Sequence, residues 1–119
     1  MSNTLVLGAV AYAPKVVTIW EGFRDWFRSR DFPFDYVLYS NYETQVDALL
    51  RGEIDAAWNS PLAWVRARRA AAASGRTARA TVMRDSDQDL TSVVLVRADA
   101  PWRAVGELAG RTVGVGAID

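Results

Sequence analysis

The chain has 119 residues, with 14 basic and 14 acidic side chains, so its formal net charge is zero. It has neither Cys nor His. This excludes a disulfide framework, zinc finger, Fe–S cluster, haem ligand, Ser-His-Asp triad or catalytic thiol, and leaves only hard, oxygen-ligated metals. A balanced charge gives no electrostatic case for nucleic acid or an anionic membrane as partner. The length suits one small domain, and five Trp, four Tyr and four Phe supply material for a core.

Met1-Ser2-Asn3-Thr4 runs straight into Leu5–Val10 without a basic region or an apolar stretch of signal-peptide length. No run approaches the roughly 18 apolar residues of a membrane-spanning helix. The sequence as it stands therefore predicts a soluble, cytoplasmic product without membrane insertion, or an extracytoplasmic one if a signal has been lost.

Thr4–Ala9 is a short apolar run ended by Tyr12-Ala13-Pro14, which predicts a buried strand. From Pro14 the apolar residues Val16, Ile19, Trp20, Phe23, Trp26 and Phe27 recur at helical spacing, with Pro suited to the first turn. Asp31-Phe32-Pro33 breaks that helix, and Phe34–Tyr39 alternates as a second strand. Ser40-Asn41 precedes a helix over Tyr42–Arg51 with Val46, Leu49 and Leu50 inward and Gly52 at its stop. Ile54–Trp58 reads as a third strand. Asn59-Ser60-Pro61 then places Ser at a helix cap and Pro at the first helical position, opening a helix that runs to Ala73 and ends at Ser74-Gly75. Beyond it, Ala78–Met83 and Ser92–Val96 read as strands, Ala104–Ala109 as a short helix, and Thr112–Val115 as the start of another strand. The order predicts an α/β fold, an open parallel sheet with helices on both faces, with a complete start and an incomplete end.

Three segments carry a resemblance. They are Leu5–Pro14; Leu50-Arg51-Gly52-Glu53-Ile54-Asp55-Ala56-Ala57-Trp58-Asn59-Ser60-Pro61; and Ser92–Asp99 followed by Val105-Gly106-Glu107-Leu108-Ala109-Gly110-Arg111-Thr112-Val113-Gly114-Val115-Gly116. Together they resemble the type 2 periplasmic solute-binding proteins of ABC transporters, in particular the phosphate/phosphite/phosphonate-binding family. The third segment has Glu and Arg where the family's lobe-entry motif has Asp and Lys. The resemblance implies the first lobe of a two-lobe fold over 1–98, and a crossover with the first strand of an incomplete second lobe over 99–119. It also implies an oxyanion ligand such as phosphate or a phosphonate, an ABC permease as partner, and no cofactor. Two other readings of the same fold stand beside it: a cytosolic enzyme and a ligand-sensing regulatory domain.

In an open α/β sheet ligands sit outside the carboxyl ends of the strands, where helix N-termini favour anions. The candidate ligand-binding residues there are Tyr12, Asn41, Tyr42, Asn59, Ser60 and Thr91, all neutral donors. No catalytic or metal-ligating residue is assigned. Asp85, Asp87 and Asp89 alternate like a calcium loop but lack its glycine and distal Glu, so they read as a solvated turn. Arg66, Arg68, Arg69, Arg76 and Arg79 read as a solvated face. Trp20, Trp26, Trp58 and Trp64 are read as core, with Trp58 nearest the ligand loops. A sheet edge left unfilled predicts a homodimer.

Overall fold

The computed structural model describes residues 3–116. They divide into two compact units, one running to Ala80 and the other starting at Thr81.

The first unit holds the sheet. β1 (Leu5–Val10), α1 (Lys15–Arg28), β2 (Phe34–Tyr39), α2 (Tyr42–Leu50), β3 (Ala56–Ala57) and α3 (Pro61–Ala73) follow one another in the chain. The strands lie in the order β2-β1-β3, all parallel, with Val10 opposite Tyr39 and Gly8 opposite Ala57. Asp55 lengthens the short third strand by other means. Its backbone N–H donates to the Val6 carbonyl at 2.9 Å, and its carboxylate accepts the Val6 N–H at 2.8 Å. A side chain thus completes a ladder that the backbone of β3 does not reach.

Alternation along the strands assigns the two faces. Leu5, Leu7 and Ala9 of β1 join Phe34, Tyr36 and Leu38 of β2 in packing with Val16, Trp20 and Phe27 of α1. Trp58 lies on the same face, its ring 6.3 Å from that of Trp20. On the other face Gly8 is the point of closest approach. A Cβ there would lie 2.5 Å from Ile54 Cδ1, 3.1 Å from the Tyr39 ring and 3.3 Å from Gln45 Cγ. The missing side chain lets α2 seat against β1. α3 packs in turn on α2, with Ala63 and Ala67 buried against Val46. Small residues on α3 permit that close approach, and its arginines lie at or near the surface.

Several expected elements appear within a residue or two, and several do not. The helix predicted from Pro14 takes Pro14 as its cap and starts at Lys15. Within α2 the buried residues are Gln45, Val46 and Ala48, while Leu49 and Leu50 are only half-buried. Trp26 is not core: it is half-exposed, and Arg30 stacks on its ring at 3.9 Å. Trp64 is half-buried.

The second unit contains two short 3₁₀ turns, Asp85–Asp87 and Val105–Leu108. The strands predicted over Ala78–Met83, Ser92–Val96 and Thr112–Val115 do not form among the described residues, and Val93 and Leu95 are exposed. Alternation reports which side chains favour a pleated surface, but a strand also needs a neighbour to bond, and these segments pair with none among the described residues. The short helix expected over Ala104–Ala109 is the second 3₁₀ turn. There the Glu107 carboxylate accepts the backbone N–H groups of Arg103 and Ala104. In the acidic turn Asp85 and Asp89 are exposed, and the half-buried Asp87 is tied by Arg84, whose Nε lies 2.7 Å from it.

Candidate functional site

Because β1, β2 and β3 are parallel and in register, the loops leaving them emerge at one edge of the first unit. Those loops carry Tyr12 after β1, Asn41 and Tyr42 after β2, and Asn59 and Ser60 after β3. In the order β2-β1-β3, α1 leaves β1 onto one face while α2 covers the other. The position between β1 and β3 is therefore the switch point where such sheets open a crevice. Backbone bonds hold the edge together: Ala11 N–H donates to the Tyr39 carbonyl at 2.9 Å, and Trp58 N–H to the Gly8 carbonyl at 2.8 Å.

The candidates differ in what they have left to offer. Tyr12 stands out from the turn after β1, 71% exposed. Asn41 caps α2, its Oδ1 accepting the Thr44 N–H at 2.8 Å. Ser60 caps α3 in the same way, its Oγ accepting the Ala63 N–H at 3.1 Å. The cap role therefore holds for both residues, and each spends a lone pair of its side-chain oxygen on it. Pro61 brings no N–H, and the Trp64 N–H already bonds the Ser60 carbonyl at 2.9 Å. This leaves the Leu62 N–H as the first-turn donor of α3 without a partner among the described residues. Tyr42 is half-buried and packs beside Val46. Thr91 is exposed and belongs to the second unit, whereas the other five belong to the first.

Two residues outside the sequence-derived set join this edge. Lys15, the single lysine, is the first residue of α1 and makes no ion pair among the described residues. A cation at a helix N-terminus opposes the helix dipole, a local conflict of the kind found where an anion is expected. The other is Gln45, which is completely buried. Its Nε2 donates both to the Trp58 carbonyl at 3.0 Å and to Asn59 Oδ1 at 2.8 Å, while its Oε1 is buried without a partner. Lys15 was legible as a charge in the wrong place on a helix. Gln45 carried no local signal, since its partners lie 13 and 14 residues further along the chain.

Burial raises the hydroxyl of Tyr39, at the end of β2, above the ordinary phenol range, and nearby Glu53 adds to the effect. Tyr39 thus stays a neutral donor throughout the physiological range. Among the described residues no group of acids is placed to hold a metal ion, and no helix is long and apolar enough to cross a membrane. The edge offers neutral donors, one cation and helix N-termini, which suits holding an anion.

Searches of the curated proteins and of the solved structures each returned no match. A family model, described as ABC transporter, phosphonate, periplasmic substrate-binding protein, matches residues 9–119. That span runs from the end of β1 through all the ligand loops, and on it the chain belongs to the phosphonate-binding family of periplasmic substrate-binding proteins of ABC transporters.

Proposed function

We propose that this chain captures a small oxyanion, phosphate or a phosphonate, at the carboxyl edge of its parallel sheet, and delivers it to an ABC permease. The observation that supports the reading is that Tyr12, Asn59, the Leu62 N–H and Lys15 all follow closely on the carboxyl ends of strands held in one register. The step is capture rather than catalysis: donors replace the water shell of the anion, and no bond of the ligand is made or broken. The family's description as a periplasmic substrate-binding protein favours this over the enzyme and sensor readings, and favours an extracytoplasmic site of action. Asn41 and Tyr42 border the site. Along the chain, the proposal takes 1–98 as a first lobe and 99–119 as the crossover and first strand of a second.

Donors from one lobe alone hold an anion weakly, with a dissociation constant on the order of millimolar. Titrating the labelled chain with methylphosphonate and with inorganic phosphate, followed by amide resonances, tests this. Shifts should concentrate at residues 11–15, 41–42 and 58–62. Shifts spread over the arginine face of α3 instead, or none at all, overturn the reading.

Among the described residues no strand pairs with the outer side of β3, and we propose as a second reading a homodimer formed by pairing at that edge. Light scattering should then give a mass that rises with concentration, and a constant monomer mass excludes it.

A further inference from the structure

Gln45 lies on α2, wholly buried, where its Cγ approaches Gly8 of the central strand. A buried amide is costly to keep unless its hydrogen bonds are satisfied, and this one is only half satisfied, because Oε1 has no partner. Its packing alone would be served equally by an apolar side chain of the same length. What such a side chain lacks is the donor edge.

The geometry makes that edge the middle of a relay. The Trp58 carbonyl can only accept, so Gln45 must turn its nitrogen toward it. The second hydrogen of the same nitrogen then meets Asn59, which must answer with its oxygen. The orientation of the Asn59 amide is thereby fixed. Its Nδ2 lies on the edge turned away from Gln45 and has no hydrogen-bond partner among the described residues. Asn59 is half-buried and directly precedes the cap of α3.

We propose that Gln45 is a positioning residue: through the Asn59 amide it fixes a donor, rather than an acceptor, at the ligand edge, and so selects for ligands that present bare acceptor oxygens there. This rests on the oxyanion reading, since a fixed donor matters only if an acceptor is to be bound.

The test uses the whole 119-residue chain, methylphosphonate as probe, and the variants Gln45→Met, Asn59→Ala and their double. Gln45→Met keeps the length and packing of the side chain and removes only the hydrogen bonds. Each single change should weaken methylphosphonate binding about tenfold, and the double no further than either single, because one acts through the other. Losses that add, or a Gln45→Met variant that binds like the parent, overturn the proposal. Asn59→Asp leaves Gln45 its acceptor but turns an acceptor outward. It should bind more weakly than Asn59→Ala, and equal binding also overturns the proposal, even if Gln45→Met does not fold.

A ligand-free readout separates this claim from the oxyanion reading. In the parent, the Asn59 side-chain amide should give one pair of proton resonances. In Gln45→Met it should shift or double, with the backbone resonance of Ala63 unmoved. If the parent binds no methylphosphonate, the oxyanion reading fails by itself. Amide resonances of Asn59 that ignore Gln45→Met defeat the relay whatever the binding result.

Discussion

At the scale of single residues, the proposed ligand edge is built from side chains doing two jobs. Asn41 and Ser60 each spend an oxygen lone pair on a helix cap, and beside them stand the Tyr12 hydroxyl, an asparagine amide, a backbone N–H and one lysine. Lys15 is the residue whose position the fold does not explain, since its charge opposes the dipole of its own helix. Lys15→Met should therefore raise thermal stability slightly while weakening methylphosphonate binding roughly two- to fivefold at low salt. A variant that loses stability and keeps its affinity would remove Lys15 from the site. Much of this edge was legible in sequence. Ser60 and Pro61 announce a helix start, and Asn41 caps as its residue type suggests. Gln45 was not legible. A glutamine between Thr44 and Val46 looks like an outward-facing helix position, and only the folded neighbourhood of Trp58 and Asn59 shows that it points inward.

At the scale of elements, local chemistry explains what forms. α1, α2, α3, β1 and β2 fall where periodicity and caps put them, because those signals act within a few residues of themselves. β3 is shorter than the apolar run Ile54–Trp58 suggests, and the Asp55 carboxylate makes up part of the difference. Asp55→Ala should cost about 1 kcal/mol in denaturant unfolding, and Asp55→Asn less, since its amide oxygen can still accept. Equal losses for the two would show that the Val6 bond contributes little. The segments 92–96 and 112–115 have strand composition but pair with no strand among the described residues, and no local pattern reveals whether a neighbour exists. The turn at Val105–Leu108 depends on a charge instead. Two backbone N–H groups bonded to Glu107 hold its carboxyl below the usual glutamate range. A lowered value means that the turn's added stability is complete above the ordinary carboxylate range, and that it disappears as pH falls through the lower folded value. The amide resonances of Arg103 and Ala104 should move together along a single titration curve with its midpoint below that of an unperturbed glutamate. A midpoint at the ordinary value would show that these bonds do not persist in solution.

At the scale of the whole molecule, the two units are unlike in kind. Among the described residues the first, to Ala80, has the sheet, three helices and nearly all the buried apolar side chains, whereas the second contributes Ala100. Protection against proteolysis follows burial and hydrogen bonding, so the second unit should be cut first. Brief trypsin treatment should release pieces cut at Arg84, Arg97 and Arg103 and leave a core ending near Arg79, read by mass spectrometry. Early cuts inside α1 or α3 would contradict that division. The resemblance seen in the sequence extended across both units, and the matched family model does likewise. Family membership is therefore a property of the whole described chain rather than of the better-packed part.

Gly8 couples two properties that are usually measured apart. A methyl group at that position would press on Ile54, on Tyr39 and on Gln45 together. Gly8→Ala should lower stability by about 1–3 kcal/mol, as overpacking does. Its second effect would travel along a lever: pressure on Gln45 Cγ moves the amide that holds Asn59, so a change in the floor of the sheet is felt at the ligand's doorstep. Laboratory evolution toward a tighter core at this spot would meet resistance from binding as well as from folding. Revertants would then be expected to restore the empty space at position 8, not to rebuild the loop.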